Sequence, residues 1–409
     1  MNILSLAISR PKTVRKVLVI LGILLIAANL RAPITSLAPL LNLIRDSFAL
    51  SAAAAGILTT LPLLVFAVVS PFAALVAREY GTERVLFGAL LLVAGGILLR
   101  SMDAVWCLYL GTCLIGAGIA LGNVLLPSLL KRDFPDRIAT LTGAYSLSMG
   151  LAAALASASM IPLAQVSGSG WPWALGALLV LPLAALLVWL PQLRSPTAPA
   201  RATSTLPHGG RIWHSALAWQ VALFLGLNSF IYYVVVGWLP AILAAAGYSA
   251  AAAGTLHGLM QLATAIPGLM LGLAVRRTRD QRGLAIGVSL LTAAGLAGLL
   301  WLPGWAMLWT LLFGFGSGAT FILGLTFVSL RASSAHQAAA LSGMAQCIGY
   351  LLAAVGPPTV GALYDAFASW SIPLAGCALL SIVMACVGSL AGRAIQIKPV
   401  PAVQQRPSI

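Results

Sequence analysis

The chain has 409 residues, 60% of them hydrophobic and 8% charged, with a formal net charge of +15. So few charges cannot cover a soluble protein of this length, and apolar runs of about 20 residues are long enough to span a bilayer. The basic residues cluster in short gaps between those runs, as topology signals do, so the positive charge does not mark a nucleic-acid-binding surface.

These features predict an all-α polytopic membrane protein; the short alternating strands of an outer-membrane barrel are not seen. The N-terminus is basic and then apolar, as in a signal peptide. Its apolar run continues through Arg31 to about Leu41 with no convincing cleavage site, so it reads as a retained first span. Twelve spans follow from hydropathy, at about 17–41, 52–76, 84–101, 106–130, 138–164, 172–191, 217–244, 252–275, 284–302, 306–330, 338–363 and 371–392. The Pro-, Ser- and Thr-rich stretch 192–216 reads as a linker between two six-span halves, 17–191 and 217–392. Tails of 1–16 and 393–409 flank them.

All of the 23 Lys and Arg except Arg31, Arg45 and Arg100 fall on one side of this arrangement. The positive-inside rule makes that side cytoplasmic, with both termini there and the protein in a bacterial inner membrane. Trp106, Trp171, Trp173, Trp305 and Trp370 are then expected to form an outer aromatic belt. Cys107, Cys113, Cys347, Cys377 and Cys386 lie in apolar runs without metal-ligand spacing, and read as small packing residues.

The two halves resemble each other at a shift of about 200 residues. Leu141-Thr142-Gly143 matches Leu341-Ser342-Gly343, Gly116-Ala117-Gly118 matches Gly316-Ser317-Gly318, and Lys131 matches Arg331. Ser51 to Gly56 (SAAAAG) matches Ser249 to Gly254 (SAAAAG). Two parallel six-span halves imply a transporter with its site between them. Enzyme motifs are missing: there is no Walker A sequence, HExxH, GxSxG or pair of intramembrane carboxylates. No cofactor is expected, and energy must come from solute or ion gradients.

Arg31 lies about 14 residues, or about 21 Å, into span 1. A charge at that depth costs about 2.5–3.5 kcal/mol on insertion scales, and no Asp or Glu lies inside any apolar segment to pair with it. Two readings stand. The guanidinium either bonds backbone carbonyls at a helix break near Pro33, or faces a cavity and binds a solute. Its fixed charge and planar fork of donors suit carboxylate, cyanate-like or nitro oxygens, and cannot carry a proton.

His257, Gln261 and Thr264 share a face of span 8. His257 either donates to nearby backbone, or bonds solute and serves as the one intramembrane group for proton coupling. Ser342, Gln346 and Tyr350 form a stripe on span 11. On span 7, Asn228 pairs in spacing with Tyr232 and Ser229 with Tyr233, with Trp238 further out. Such stripes either join helices or line a cavity where rings stack on a flat solute. Asn123 in span 4 and Tyr145 in span 5 complete the candidate binding residues. Gly118-x-x-x-Gly122 and Gly314-x-x-x-Gly318 read as close-packing faces.

Several motifs resemble the major facilitator superfamily and, within it, the cyanate and 2-nitroimidazole permease family, nearest its nitroimidazole-type members. They are Asn29-Leu30-Arg31 with Pro39, Gly122-Asn123-Val124-Leu125-Leu126-Pro127 running into Lys131-Arg132-Asp133-Phe134-Pro135, and Gly237-Trp238-Leu239-Pro240. Leu256-His257-Gly258 and Ser342-Gly343-Met344-Ala345-Gln346 complete the set. The likeness covers about residues 17–392. It implies a secondary transporter working by alternating access on cyanate-like anions or nitroimidazole-like heterocycles, with export one of the directions the family uses. Uniport, exchange of another small organic anion, and a channel are the alternatives. Membrane lipids, the solute and a coupling proton are the expected partners, and a monomer the expected state. Arg78 stands where the superfamily's loop 2–3 motif normally has an aspartate, span 4 lacks the arginine common in proton-coupled members, and span 5 lacks the Gly-Pro motif of drug/proton antiporters. Conventional gating pairs and carboxylate-based proton coupling therefore do not carry over.

Overall fold

A computed structural model describes residues 12–134, 137–166, 170–194, 212–333 and 335–397. The tail 1–11, Asp136, most of the linker (195–211) and the end of the second tail (398–409) lie outside the described residues, as do the side chains of Arg78, Lys131 and Arg276.

Twelve spans are present. Span 1 consists of α1 (Lys12–Asn29), α2 (Ala32–Thr35) and α3 (Leu37–Phe48). Spans 2 to 5 are α4 (Ala52–Tyr80), α5 (Thr82–Arg100), α6 (Val105–Asp133) and α7 (Ile138–Val166), and span 6 is α8 (Gly170–Ala177) with α9 (Val180–Trp189). In the second half, span 7 is α10 (Ala216–Ala245) and span 8 is α11 (Ala250–Ala263) with α12 (Pro267–Arg277). Spans 9 to 12 are α13 (Arg282–Trp301), α14 (Ala306–Arg331), α15 (Ala335–Phe367) and α16 (Ser371–Ala391). Among the described residues, eleven segments are long and apolar enough to cross a bilayer. Span 8, in helices of 14 and 11 residues, is not one of them.

Proline chemistry explains both central interruptions. Pro33 sits in the first turn of α2, just after Arg31 leaves helical geometry at φ −128°. Pro267 opens α12. A proline has no N–H for the carbonyl four residues back, but fits the first turn of a new helix, where that N–H would be unpaired. In span 8 the chain crosses the gap through tight turns, with the Ala265 N–H on the Leu262 carbonyl at 3.0 Å and that of Gly268 on Ala265 at 3.2 Å.

The repeat is visible in the details. Each SAAAAG copy starts a helix. Ser51 Oγ accepts the Ala54 N–H at 3.1 Å, and Ser249 Oγ accepts that of Ala252 at 3.2 Å, so the repeated serine is an N-cap. Arg132, near the end of span 4, pairs with Glu83 at the start of span 3 at 2.8 Å, and Trp189 of span 6 donates to the Glu83 carbonyl at 3.0 Å. In the other half, Arg331 ends span 10, bonds Gln281 beside span 9 and donates to the Ala391 carbonyl of span 12 at 2.9 Å. The same three-helix knot thus uses an ion pair in one half and a neutral amide in the other.

The halves meet through spans 2 and 11 and spans 5 and 8, toward the end remote from the termini. A Cβ on Gly56 would lie 2.6 Å from the Pro357 carbonyl oxygen, one on Gly361 2.4 Å from that of Ala52, and one on Gly258 2.6 Å from that of Ala154. These glycines permit backbone-to-backbone approach. Asp365, at the end of span 11, accepts the Ala52 and Ala53 N–H groups, both at 3.0 Å, and so caps the start of span 2 from the other half. Nearer the termini the pattern ends: Gly143 and Gly343 have open space where a Cβ would sit. The halves are joined at the far end.

The aromatic belt needs correction. Trp106, Trp173 and Trp305 are exposed, but Trp171 and Trp370 are buried. Trp171 packs on Phe48 and donates to Ser47 Oγ at 3.1 Å. Trp370 stacks on Tyr364 at 4.3 Å and meets Trp238 at 5.2 Å. Both rings pack against neighbouring helices instead of facing lipid. All five cysteines are free thiols.

Candidate functional site

The two helix interruptions face each other across the junction of the halves. Arg31, at the gap in span 1, sends its guanidinium into the second half. Nη1 donates to Thr264 Oγ1 at 3.4 Å, at the gap in span 8. Nη2 donates to Gln261 Oε1 at 3.1 Å and to the Tyr232 hydroxyl. The Tyr232 hydroxyl in turn donates to Gln261 Oε1 at 2.8 Å, and Thr264 Oγ1 donates to the Gln261 carbonyl at 2.7 Å. The guanidinium carbon lies 5.6 Å from the Tyr232 ring centroid, within cation–π range.

Neither sequence reading of Arg31 describes this arrangement fully. Its side chain bonds side chains of the other half, not backbone carbonyls, and it is half-buried. Three of its five N–H groups are used in these bonds. Gln261 is fully buried, and its Nε2 has no acceptor. A buried amide without a partner is expensive, so the cluster presents spare donors beside a fixed positive charge.

An aromatic wall adjoins it. Tyr233 meets Tyr232 edge-on at 5.3 Å and 79°. Tyr350 of span 11 lies within electrostatic reach of Tyr233 and packs edge-on against Phe66 of span 2 at 6.2 Å. One turn beyond Gln261, His257 is fully buried. Its Nδ1 is 2.6 Å from Ser157 Oγ of span 5, and that oxygen lies 3.1 Å from the Gly254 carbonyl. A serine has one hydroxyl proton. If it goes to Gly254, Nδ1 carries the ring proton and donates to Ser157 Oγ.

Not every candidate joins this group. Asn228 is buried, and its Oδ1 accepts the Ser317 hydroxyl at 3.0 Å, fastening span 7 to span 10. Trp238 is fully buried and donates to the Pro357 carbonyl at 2.9 Å in the far-end seal. Both make helix-packing contacts, as polar stripes in membranes commonly do. Gln346 is exposed and bonds Ser342 at 3.3 Å. Asn123 is exposed and Tyr145 half-buried. No hydrogen bond among the described residues ties these three to Arg31.

Three participants were not among the candidates. Thr264 was visible only as part of the span 8 stripe, since nothing in an apolar run announces that its hydroxyl stands at a gap. Ser157 had no signal in a row of alanines and serines. Arg100 falls at the end of span 3 in the sequence, yet it is 1% exposed.

The glycine pairs pack as expected. A Cβ on Gly314 would lie 2.5 Å from the Met260 carbonyl oxygen and one on Gly318 2.2 Å from that of Thr264. Span 10 therefore presses directly on the gap that holds Thr264.

Twelve spans in two related halves, with a polar cluster at their junction, define a multi-pass membrane transporter. Residues 19–357 match the family model of the Major Facilitator Superfamily. The 2-nitroimidazole transporter of Escherichia coli (strain K12) is 58% identical over 383 residues, covering 94% of this chain and 97% of that one. The cyanate transport protein CynX of the same organism is 29% identical over 350 residues, covering 84% and 89%. A bacterial homologue of the human lysosomal transporter Spinster, in an inward-facing and occupied conformation, shares the fold with a TM-score of 0.76 at 16% identity, covering 95% of this chain and 98% of that one. The chain belongs to the major facilitator superfamily and, within it, to the cyanate and 2-nitroimidazole permease family.

Proposed function

We propose that this transporter carries a small, flat, electron-rich or anionic organic solute by alternating access, and that nitroimidazole-like heterocycles are its substrate class. The observation that supports this most is the Arg31 cluster. A fixed cation, a spare amide donor on Gln261 and the ring of Tyr232 stand together where the halves meet. Hydrogen bonds to a charged group are worth about 1.5–3 kcal/mol each, enough for a nitro or carboxylate group to compete with Tyr232 and Gln261 for the guanidinium. The identity to a 2-nitroimidazole transporter supports the class.

The distribution of Lys and Arg supports an inner-membrane orientation with both termini in the cytoplasm. The conformation described, closed at the far end, is then inward-facing. A single chain supplies both halves of the site, which supports a monomer. A guanidinium does not serve as a proton carrier, so proton coupling falls to His257 or is absent, leaving exchange or uniport.

Counterflow of labelled 2-nitroimidazole into proteoliposomes preloaded with the unlabelled compound tests the reading. Saturable accumulation is expected. Uptake that is linear in concentration and equal to that of empty vesicles refutes the substrate class. For coupling, His257→Gln is expected to abolish the response of uptake to an imposed pH gradient, and an unchanged response removes His257 from the mechanism.

A further inference from the structure

Arg100 ends span 3, where a long basic side chain ordinarily reaches outward to the membrane surface. Here it turns inward and is 1% exposed. Its Nη1 donates at 2.7 Å to the carbonyl of Pro33, in the short helix that follows the gap in span 1. Nε and Nη2 have no hydrogen-bond acceptor. One bond therefore holds a fully buried cation in place, and that bond ends two residues along the chain from Arg31.

The Pro33 carbonyl accepts otherwise only the Ser36 hydroxyl, at 3.1 Å. The turn it belongs to is short. The Arg31 carbonyl takes the N–H groups of Ile34 and Thr35, both at 3.1 Å, and the four residues of α2 end at Thr35. Such a turn has little strength of its own, because helices this short are unstable without outside contacts. A charged donor on a carbonyl is among the strongest single contacts available to it. The packing of span 3 is adapted to supply one. A Cβ on Gly111 of span 4 would lie 2.6 Å from the Arg100 nitrogen, and one on Gly96 2.6 Å from the Gly111 carbonyl oxygen, so spans 3 and 4 touch at backbone distance beside Arg100.

We infer that Arg100 is a positioning residue for solute binding: it fastens the interrupted turn of span 1 and thereby aims Arg31 at Tyr232, Gln261 and the solute. This rests on Arg31 being the solute-binding cation. Arg100 itself touches no solute. A lysine also offers a charged donor, so Arg100→Lys should preserve the aim, whereas Arg100→Met fills similar space and provides no donor.

The test has two arms on the full-length detergent-purified protein. Hydrogen–deuterium exchange followed by mass spectrometry reads the peptide covering residues 29–40. The Arg100→Met variant is expected to exchange several-fold faster there than wild type, with the rest of the protein unchanged and with Arg100→Lys near wild type. Equal exchange in wild type and Arg100→Met overturns the inference, whatever the substrate is. Should Arg100→Met not fold, Arg100→Gln replaces it under the same criteria. In the second arm, 2-nitroimidazole transport is measured in proteoliposomes. Arg100→Met is expected to raise KM with little change in the maximal rate, and to add no further loss in an Arg31→Gln background. Fully additive losses show that Arg100 acts apart from Arg31 and overturn the inference. Wild-type protein that does not transport 2-nitroimidazole counts against the proposed substrate and leaves the exchange arm to decide on Arg100.

Discussion

Arg31 and Tyr232 stand 201 residues apart, at about the shift of the internal repeat, and they touch: the guanidinium of one donates to the hydroxyl of the other. The contact is one join between the halves and the candidate solute site. Under the proposed function, a solute that takes the guanidinium's donors would loosen this join and so link binding to relative movement of the halves.

Tyr232→Phe keeps the ring and removes the hydroxyl. It deletes one bond to Arg31 and one to Gln261. Hydrogen bonds of this kind are worth about 0.5–3 kcal/mol. The expected outcome is a lower melting temperature of the solute-free protein, with 2-nitroimidazole binding weakened far less than by loss of Arg31. A melting temperature equal to wild type shows that the contact does not hold the halves.

Gly318→Ala tests the support of the span 8 gap. Its Cβ would fall 2.2 Å from the Thr264 carbonyl oxygen, and backbone must move to admit it. Overpacking of this kind costs about 1–3 kcal/mol. Transport is expected to fall at least tenfold, about 1.4 kcal/mol, through displacement of Thr264 and Gln261. Gly343→Ala, which meets nothing within 4 Å, is the control and should transport like wild type.

Asp365→Asn weakens the far-end latch. The carboxylate accepts two N–H groups at the start of span 2, where negative charge is favoured by the helix dipole. The amide loses the charge and one acceptor. Distances between spin labels on spans 2 and 11 at that end should show a larger open fraction than in wild type. An unchanged distance distribution removes Asp365 from gating.

Much of the fold was legible in the sequence, because a bilayer demands long apolar helices and both the spans and the repeat follow from that demand. Arg31 stood out for the same reason. The gap in span 8 did not. Pro267 marks it, but Thr264, Ala265 and Ile266 carry the apolar run across without a change in hydropathy. Trp171 and Trp370 read as interface residues because they sit at span ends, yet whether such a ring faces lipid or a neighbouring helix depends on packing partners far away in the chain. Arg100 was hidden the same way: its position marks a span end, and its partner, the Pro33 carbonyl, lies 67 residues away in the chain. Asn228 and Trp238 carry the right chemistry for a site, but their partners Ser317 and Pro357 take them into helix contacts.

The central claim is that Arg31 binds the solute, and equilibrium binding of labelled 2-nitroimidazole to purified wild type, Arg31→Lys and Arg31→Ala tests it most directly. Saturable binding by wild type is predicted, weaker for Arg31→Lys, which keeps the charge but not the planar fork. For Arg31→Ala a loss of at least about a hundredfold is predicted, equivalent to about 2.8 kcal/mol, in protein that remains folded and monodisperse. Arg31→Ala binding as tightly as wild type would contradict it.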